Sequence, residues 1–373
     1  MQKKKSSIFL IILFFLFVLA VSAYWFRDKI IPLFFQPTAT SIQTGTKNPA
    51  SSRVIAKELY VPWELVFLPD NDFLVTERRG NLKRLGKVRQ TITIPDAYEI
   101  GEGGLLGMAL DPEFSQNHYI YLYYTTRKAN QLVNEVVRYT YNPKGNLENK
   151  TSILTNIPAA RFHNGGRIKF GPDGYLYVTT GDALNPSLSQ DKKSLAGKIL
   201  RISRDGKPAP DNPFANRVYS LGHRNPQGLA WDAEGRLWAS EHGESAHDEI
   251  NLIIPGSNYG WPVIQGREEK KNMKSPMLTS GSQETWAPGG MAYLSGRLFF
   301  SGLRGQTLYE VHIAPRKTNI GNLKGHLRNK YGRIRNVVIG PDGFLYIMTS
   351  NRDGRGRPEP EDDRIIRLDP KSL

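Results

Sequence analysis

The feature that most constrains this chain is a repeat. A turn built on Asp, Gly, Pro or Ser is followed at once by a short strand rich in aromatic and β-branched residues. Six copies occur: residues 68–72 lead into 73–76, 111–114 into 119–125, 171–174 into 175–179, 231–235 into 236–240, 294–296 into 297–301 and 340–343 into 344–349. From Asp70 to Asp342 the five intervals average a little over fifty residues. That period, with several strands per unit, predicts an all-β, six-bladed β-propeller. One blade cannot bury both faces of its sheet, so blades stack radially and the last closes on the first. A sandwich or a two-domain β protein is the alternative, and even spacing across the whole domain favours the ring.

Composition narrows the chemistry. There is no cysteine among the 373 residues, which excludes disulfides, Cys-ligated zinc, thiol catalysis and a lipidated N-terminal Cys. The net charge is +15. Residues 1–60 hold eight Lys or Arg against Asp28 and Glu58, so the remainder is still basic. No nucleic-acid motif is present, and the arginines are scattered among strand-like runs rather than aligned on one helix. Most of these charges read as a solvated surface.

The N-terminus points outward. Lys3, Lys4 and Lys5 precede an uncharged run over residues 6–26, long enough to span a bilayer, with Val21, Ser22 and Ala23 as a small-residue cleavage site. Residues 1–27 therefore read as a signal peptide or a transmembrane anchor, with everything after Arg27 across the membrane. Residues 28–52 read as a flexible linker, because 36–52 hold almost no large apolar side chain. The propeller is expected over 53–373.

Residues 161–183, RFHNGGRIKFGPDGYLYVTTGDA, predict an antiparallel hairpin around Gly-Pro-Asp-Gly. His163 and Asp182 lie equally far from the turn midpoint, so a regular hairpin makes them neighbours. A carboxylate beside an imidazole fixes its tautomer for proton transfer. A surface His and a turn Asp is the plainer alternative for one hairpin alone. In the fourth copy Arg224 and Gly243 are equidistant in the same way, and in the last copy Arg333 and Arg335 precede their turn by nearly the same distance. Equivalent blades would bring these polar groups to one mouth of the ring, which marks a ligand site.

Further segments converge there. The glycine-rich run 101–107 lacks the lysine and the strand-to-helix context of a phosphate loop. Residues 222–228 supply donors for an anionic or carbonyl-bearing ligand. Arg224, Arg304, Arg333 and Arg335 aimed at one cavity require a polyanion, because unpaired buried cations are costly. Residues 241–244 and 248–252 offer carboxylates and carbonyls, either hard-oxygen ligands for Ca²⁺ or a solvated acidic loop.

These segments resemble the soluble PQQ-dependent aldose (glucose) sugar dehydrogenases, six-bladed propellers of the bacterial periplasm. The likeness covers nearly all of 59–368 and is carried by EGGLLGMALDPEF, RFHNGGRIKFGPDG, TTGDA, SLGHRNPQGLAWD, EHGESAHDEINLI, NYGWP, APGGMAY and GRIRNVVIGPDGFLY. It implies that His163 removes the proton of the anomeric hydroxyl, that Asp182 orients it, and that Arg224 stabilises charge on the quinone. Asn225 matches a cofactor contact, and Thr285, Arg304, Arg333 and Arg335 match the positions that bind the cofactor carboxylates. Many relatives have Lys in place of Arg304. An active-site Ca²⁺ is implied at the carbonyls of Gly243 and Glu244, and a second at Glu249 and the Tyr259 carbonyl. Two residues depart from the pattern. Glu102 stands where Gln is common, and a carboxylate there repels a tricarboxylate unless it is protonated or paired. Glu244 replaces a Pro. The implied substrate is an aldose, with an unassigned electron acceptor, a monomer or homodimer, and periplasmic placement. A non-catalytic sugar- or partner-binding propeller and a calcium-dependent lactonase are the other readings; the arginine-rich mouth suits the lactonase poorly.

Overall fold

A computed structural model describes residues 14–18, 21–22, 41–142, 144–313 and 320–373. Each of the six turns closes a hairpin, and each hairpin is the inner half of a four-stranded antiparallel sheet. Blade 1 runs Pro62–Phe67, Phe73–Glu77, Asn81–Leu85, Gln90–Thr93; blade 2 runs Leu105–Leu110, Tyr119–Lys128, Gln131–Tyr141, Leu147–Pro158. Blade 3 comprises Ile168–Phe170, Leu176–Thr180, Lys198–Ile202 and Val218–Leu221, and blade 4 comprises Pro226–Trp231, Leu237–Glu241, Glu249–Ile253 and Leu278–Thr279. Blade 5 is Pro288–Leu294, Arg297–Gly302, Thr307–His312, Leu323–His326. Blade 6 has Ile334–Ile339, Leu345–Thr349 and Ile365–Leu368, and takes its outer strand from the other end of the chain, Ser52–Ala56. Neighbouring blades touch in sequence around a ring through their first two strands, and the sixth touches the first.

The apolar core is divided in the way a propeller requires. Six buried clusters occupy the six seams between neighbouring blades. Tyr121, Tyr123, Val178 and Leu200 fill the seam of blades 2 and 3; Trp238, Trp286, Phe300 and Tyr309 fill that of blades 4 and 5. Each large side chain so buried contributes about 1.5–3 kcal/mol.

The repeated turn has a physical reason. In blade 3 the Asp173 carboxylate accepts from the Tyr175 amide, the Tyr177 hydroxyl and Arg201 Nε at 3.2, 2.9 and 2.8 Å. In blade 6 Asp342 does the same with Phe344, Tyr346 and Arg367 at 3.2, 2.9 and 2.7 Å. One aspartate thus closes the turn and ties it to the third strand. Gly174 and Gly343 follow at φ +76° and +75°, where a side chain is strained.

The register of these hairpins differs from the symmetric one. Ile168 pairs with Val178, one position away from the pairing set by the turn midpoint. Towards the mouth, the Gly166 amide donates to Thr179 O while the Thr179 amide donates to Arg167 O, so two residues face one. That bulge restores the register and brings His163 opposite Asp182. The other five blades shift by one residue at the same place, which aims side chains into the axis.

The described end of the expected linker is not free. Ile42–Thr44 pairs in parallel with Leu323–His326 as a fifth strand of blade 5, and the Thr46 amide donates to His326 Nδ1 at 2.9 Å. Three residues on a sheet edge leave no legible alternation, so the composition of 36–52 does not signal this strand. The apolar run 6–26 lies largely outside the described residues. Among the described residues no helix is long and apolar enough to cross a membrane.

Candidate active site

At the end of the ring where the inner strands begin, the loops entering blades 2 to 6 and the loops after the second strands of blades 4, 5 and 6 border a cavity of about 940 Å³. His163 stands on its wall. Its Nδ1 lies 2.8 Å from Asp182 Oδ1, and the Asp182 side chain is fully buried. Asp182 also accepts from Trp261 Nε1 and from the Leu184 amide, each at 2.9 Å. An acceptor oxygen at this distance takes the Nδ1 proton as a hydrogen bond, which leaves Nε2 as the acceptor facing the cavity. The backbone is built for this: His163 has φ +59°, and a Cβ on Gly181 would stand 1.9 Å from the His163 carbonyl oxygen.

Arg224, Arg304 and Arg333 line the same cavity. Arg224 sits over the Trp261 ring at 5.2 Å, and its buried Nε has no partner among the described residues. Burial holds its guanidinium below the ordinary value, against the pull of Asp182, Glu244, Asp248 and Glu102. Arg333 is paired with Asp353 at 2.8 Å. Arg304 is exposed. Thr285 lines the cavity, but its hydroxyl donates to Asp248 at 2.9 Å. Asn225 is buried beside the site rather than on its wall; Oδ1 accepts from the Gly165 amide at 3.0 Å and Nδ2 has no partner among the described residues.

Arg335 is the expected wall residue that the structure places elsewhere. It lies in the axial floor, where Nη1 donates to Gln227 Oε1 at 2.6 Å and burial brings it down to about 9. Arg335 falls at the register shift of blade 6, between Ile334 and Asn336. Arg167, Glu64 and Asn336 continue this floor.

Glu102 is neither protonated nor exposed. Oε1 accepts from Arg355 Nη1 at 2.5 Å, and Oε2 accepts from the His163 amide at 3.3 Å. Burial alone would raise its pKa; the charge of His242, the Arg355 guanidinium and that amide outweigh it and hold the carboxyl down at about 2. His242 is itself pushed down to about 4 by burial, so at neutral pH the charged partner of Glu102 is Arg355. Nothing local in the sequence ties Arg355 to Glu102.

The loop carrying Gly243 and Glu244 borders the cavity opposite. Among the described residues no backbone amide donates to either carbonyl. Asp248 pins this loop: it accepts from the Gly243 amide at 3.0 Å and from the Trp286 and Ala287 amides at 2.6 and 2.9 Å. Glu249 and Tyr259 meet at a second, small cavity of about 10 Å³ beside Gln265. Burial and the charge of Glu241 push Glu249 up to about 8. Gln265 Oε1 and Asn251 Oδ1 are buried without donors among the described residues. A cluster with surplus acceptors suits a hard cation.

Ser220, His223 and Glu241 form a Ser–His–Glu chain with 2.8 Å at both links. All three are buried, and neither Ser220 nor His223 lines the mouth cavity or the small one beside it. Glu241 spends its other oxygen on the Arg224 amide, so the chain is a pillar under Arg224 rather than a nucleophile.

Residues 59–366 match the family described as Glucose / Sorbosone dehydrogenase. The aldose sugar dehydrogenase YliI of Escherichia coli is 30% identical over 366 residues, covering 87% of this chain and 96% of that protein. Quinoprotein glucose dehydrogenase B of Acinetobacter calcoaceticus is 36% identical over 254 residues, and the match spans 58% of this chain and about half, 53%, of that relative. The PQQ-bound aldose sugar dehydrogenase of Streptomyces coelicolor superposes with a TM-score of 0.79 at 40% identity, covering 89% of this chain and 99% of that one.

Proposed function

The chain belongs to the glucose/sorbosone dehydrogenase family, and we propose that it is a PQQ- and calcium-dependent oxidoreductase that takes an aldose at C1 to the lactone. The observation that carries this reading is the His163–Asp182 pair at 2.8 Å on the wall of an arginine-lined cavity. The residues present fit the cofactor. Among the described residues Arg224 Nε and Asn225 Nδ2 are buried donors without partners, Arg304 adds a cation at the wall, and the Glu102 carboxylate is masked by Arg355. The loop carbonyls of Gly243 and Glu244 suit an active-site calcium, and the acceptor cluster at Glu249 and Tyr259 suits a second.

When bound, the quinone would supply a two-electron acceptor for the C1 hydride, and calcium would supply a Lewis acid. The protein supplies the proton chemistry. His163 takes the C1 hydroxyl proton at Nε2, and Asp182 holds Nδ1–H and stabilises the imidazolium. Arg224 contributes a fixed positive charge in a poorly hydrated place, where electrostatic stabilisation is strongest. The cluster of metal-binding carboxylates that a lactonase needs is not formed among the described residues. Placement in the periplasm rests on Lys3 to Lys5 and the apolar run after them.

The test is a titration of the apo-protein with PQQ and Ca²⁺, followed by absorbance, with aldose-dependent dye reduction on the loaded form. H163Q is expected to lower turnover by about 10²–10⁴-fold with PQQ affinity kept. A wild-type protein that binds no PQQ ends this reading.

A further inference from the structure

Asp182 has two oxygens with unequal company. Oδ1 serves His163 and the Leu184 amide; the one side-chain donor to Oδ2 among the described residues is the Trp261 indole, at 2.9 Å. Trp261 lies outside the strand repeat, on the long connection between the third and fourth strands of blade 4. It is firmly placed: its amide donates to Gly222 O at 2.9 Å and its carbonyl accepts from Gln190 Nε2 at 2.6 Å. Its ring also lies under Arg224. One buried side chain therefore touches both the carboxylate behind the base and the cation across from it.

We infer that Trp261 is a positioning residue of the His163–Asp182 pair, whose indole N–H locks the Asp182 carboxylate and limits how strongly that carboxylate holds a proton on His163. The physical argument is simple. A hydrogen bond donated to Oδ2 withdraws negative charge from the carboxylate and stops its rotation. Without it, Asp182 attracts a proton on the imidazole more strongly, and His163 remains protonated, and useless as a base, to higher pH. The other titratable or charged groups facing the same cavity are Glu102 with its partner Arg355, Arg224, His242, Glu244, Asp248, Arg304 and Arg333; among the described residues none of them donates to Asp182 Oδ2.

The role rests on His163 acting as the base, and W261F separates the two questions because it removes the N–H and keeps a ring beneath Arg224. In the full chain loaded with PQQ and Ca²⁺, the acid limb of kcat/KM is expected to move to higher pH by roughly one unit, with PQQ affinity within about twofold of wild type. In the cofactor-free protein, the His163 imidazole followed by NMR is expected to titrate at higher pH in W261F. Identical His163 titrations in the two proteins overturn the inference. Should W261F fail to fold, the wild type decides: the Trp261 indole N–H resonance must shift with the His163 midpoint, and a resonance that stays flat through it overturns the proposal. Failure of the dehydrogenase reading shows separately, as absent PQQ binding.

Discussion

At the scale of single residues, the fate of Glu102 decides what the cavity accepts. A lone carboxylate there would oppose an anionic ligand, and the structure answers it with Arg355, drawn from a residue 253 positions away. The same pair makes a pH prediction. The folded Glu102 titrates near 2 against an ordinary 4.5, so it contributes stability above about 4.5 that is lost as pH falls toward 2. Discounted for the half-exposed Arg355, the effect is roughly 2 kcal/mol. Denaturant unfolding of E102Q should therefore depend less on pH between those limits than wild type does. Parallel curves would mean that the charges of His242 and Arg355 do not hold the Glu102 carboxyl down in solution.

At the scale of elements, the site is held by connections rather than by strands. Residues 242–248 fold back sharply: a Cβ on Gly243 would meet Ala246 O at 1.8 Å. Asp248 then stitches this loop to residues 285–287 through buried hydrogen bonds. This answers the loss of a proline at Glu244, since the loop takes its rigidity from Asp248. D248A leaves these donors unsatisfied and should cost roughly 3 kcal/mol in denaturant unfolding. Calcium affinity should fall with it, because the Gly243 and Glu244 carbonyls lose their frame. Unchanged calcium affinity in a destabilised D248A would remove these carbonyls from the ligand set.

At the scale of the whole molecule, stability depends on closing the ring. Blade 6 is completed by Ser52–Ala56, pairing with Ile365–Leu368. Ile42–Thr44 only extends an already complete blade 5. A chain starting at residue 48 should lose a few degrees in Tm. A chain starting at residue 57 opens blade 6, exposes the seam with blade 1, and should lose cooperative unfolding. Equal melting of the two would contradict closure by the N-terminal strand.

The blades were legible in the sequence because their causes are local. Turn aspartates, positive-φ glycines and two-residue alternation act within about twenty residues of one another. The His163–Asp182 pairing belongs to this class, since one hairpin contains it; even so, the bulge that seats it left no sequence signal. Other contacts were decided only when the ring closed. Arg355 reaching Glu102, Trp261 reaching Asp182 and Arg335 turning to Gln227 join residues from different blades. Their partners are set by how six sheets pack around an axis, and no periodicity along the chain records that packing. The sequence by itself determined six blades, one mouth and the residue types gathered there; the tertiary structure decided which charges are paired and which remain open to a ligand.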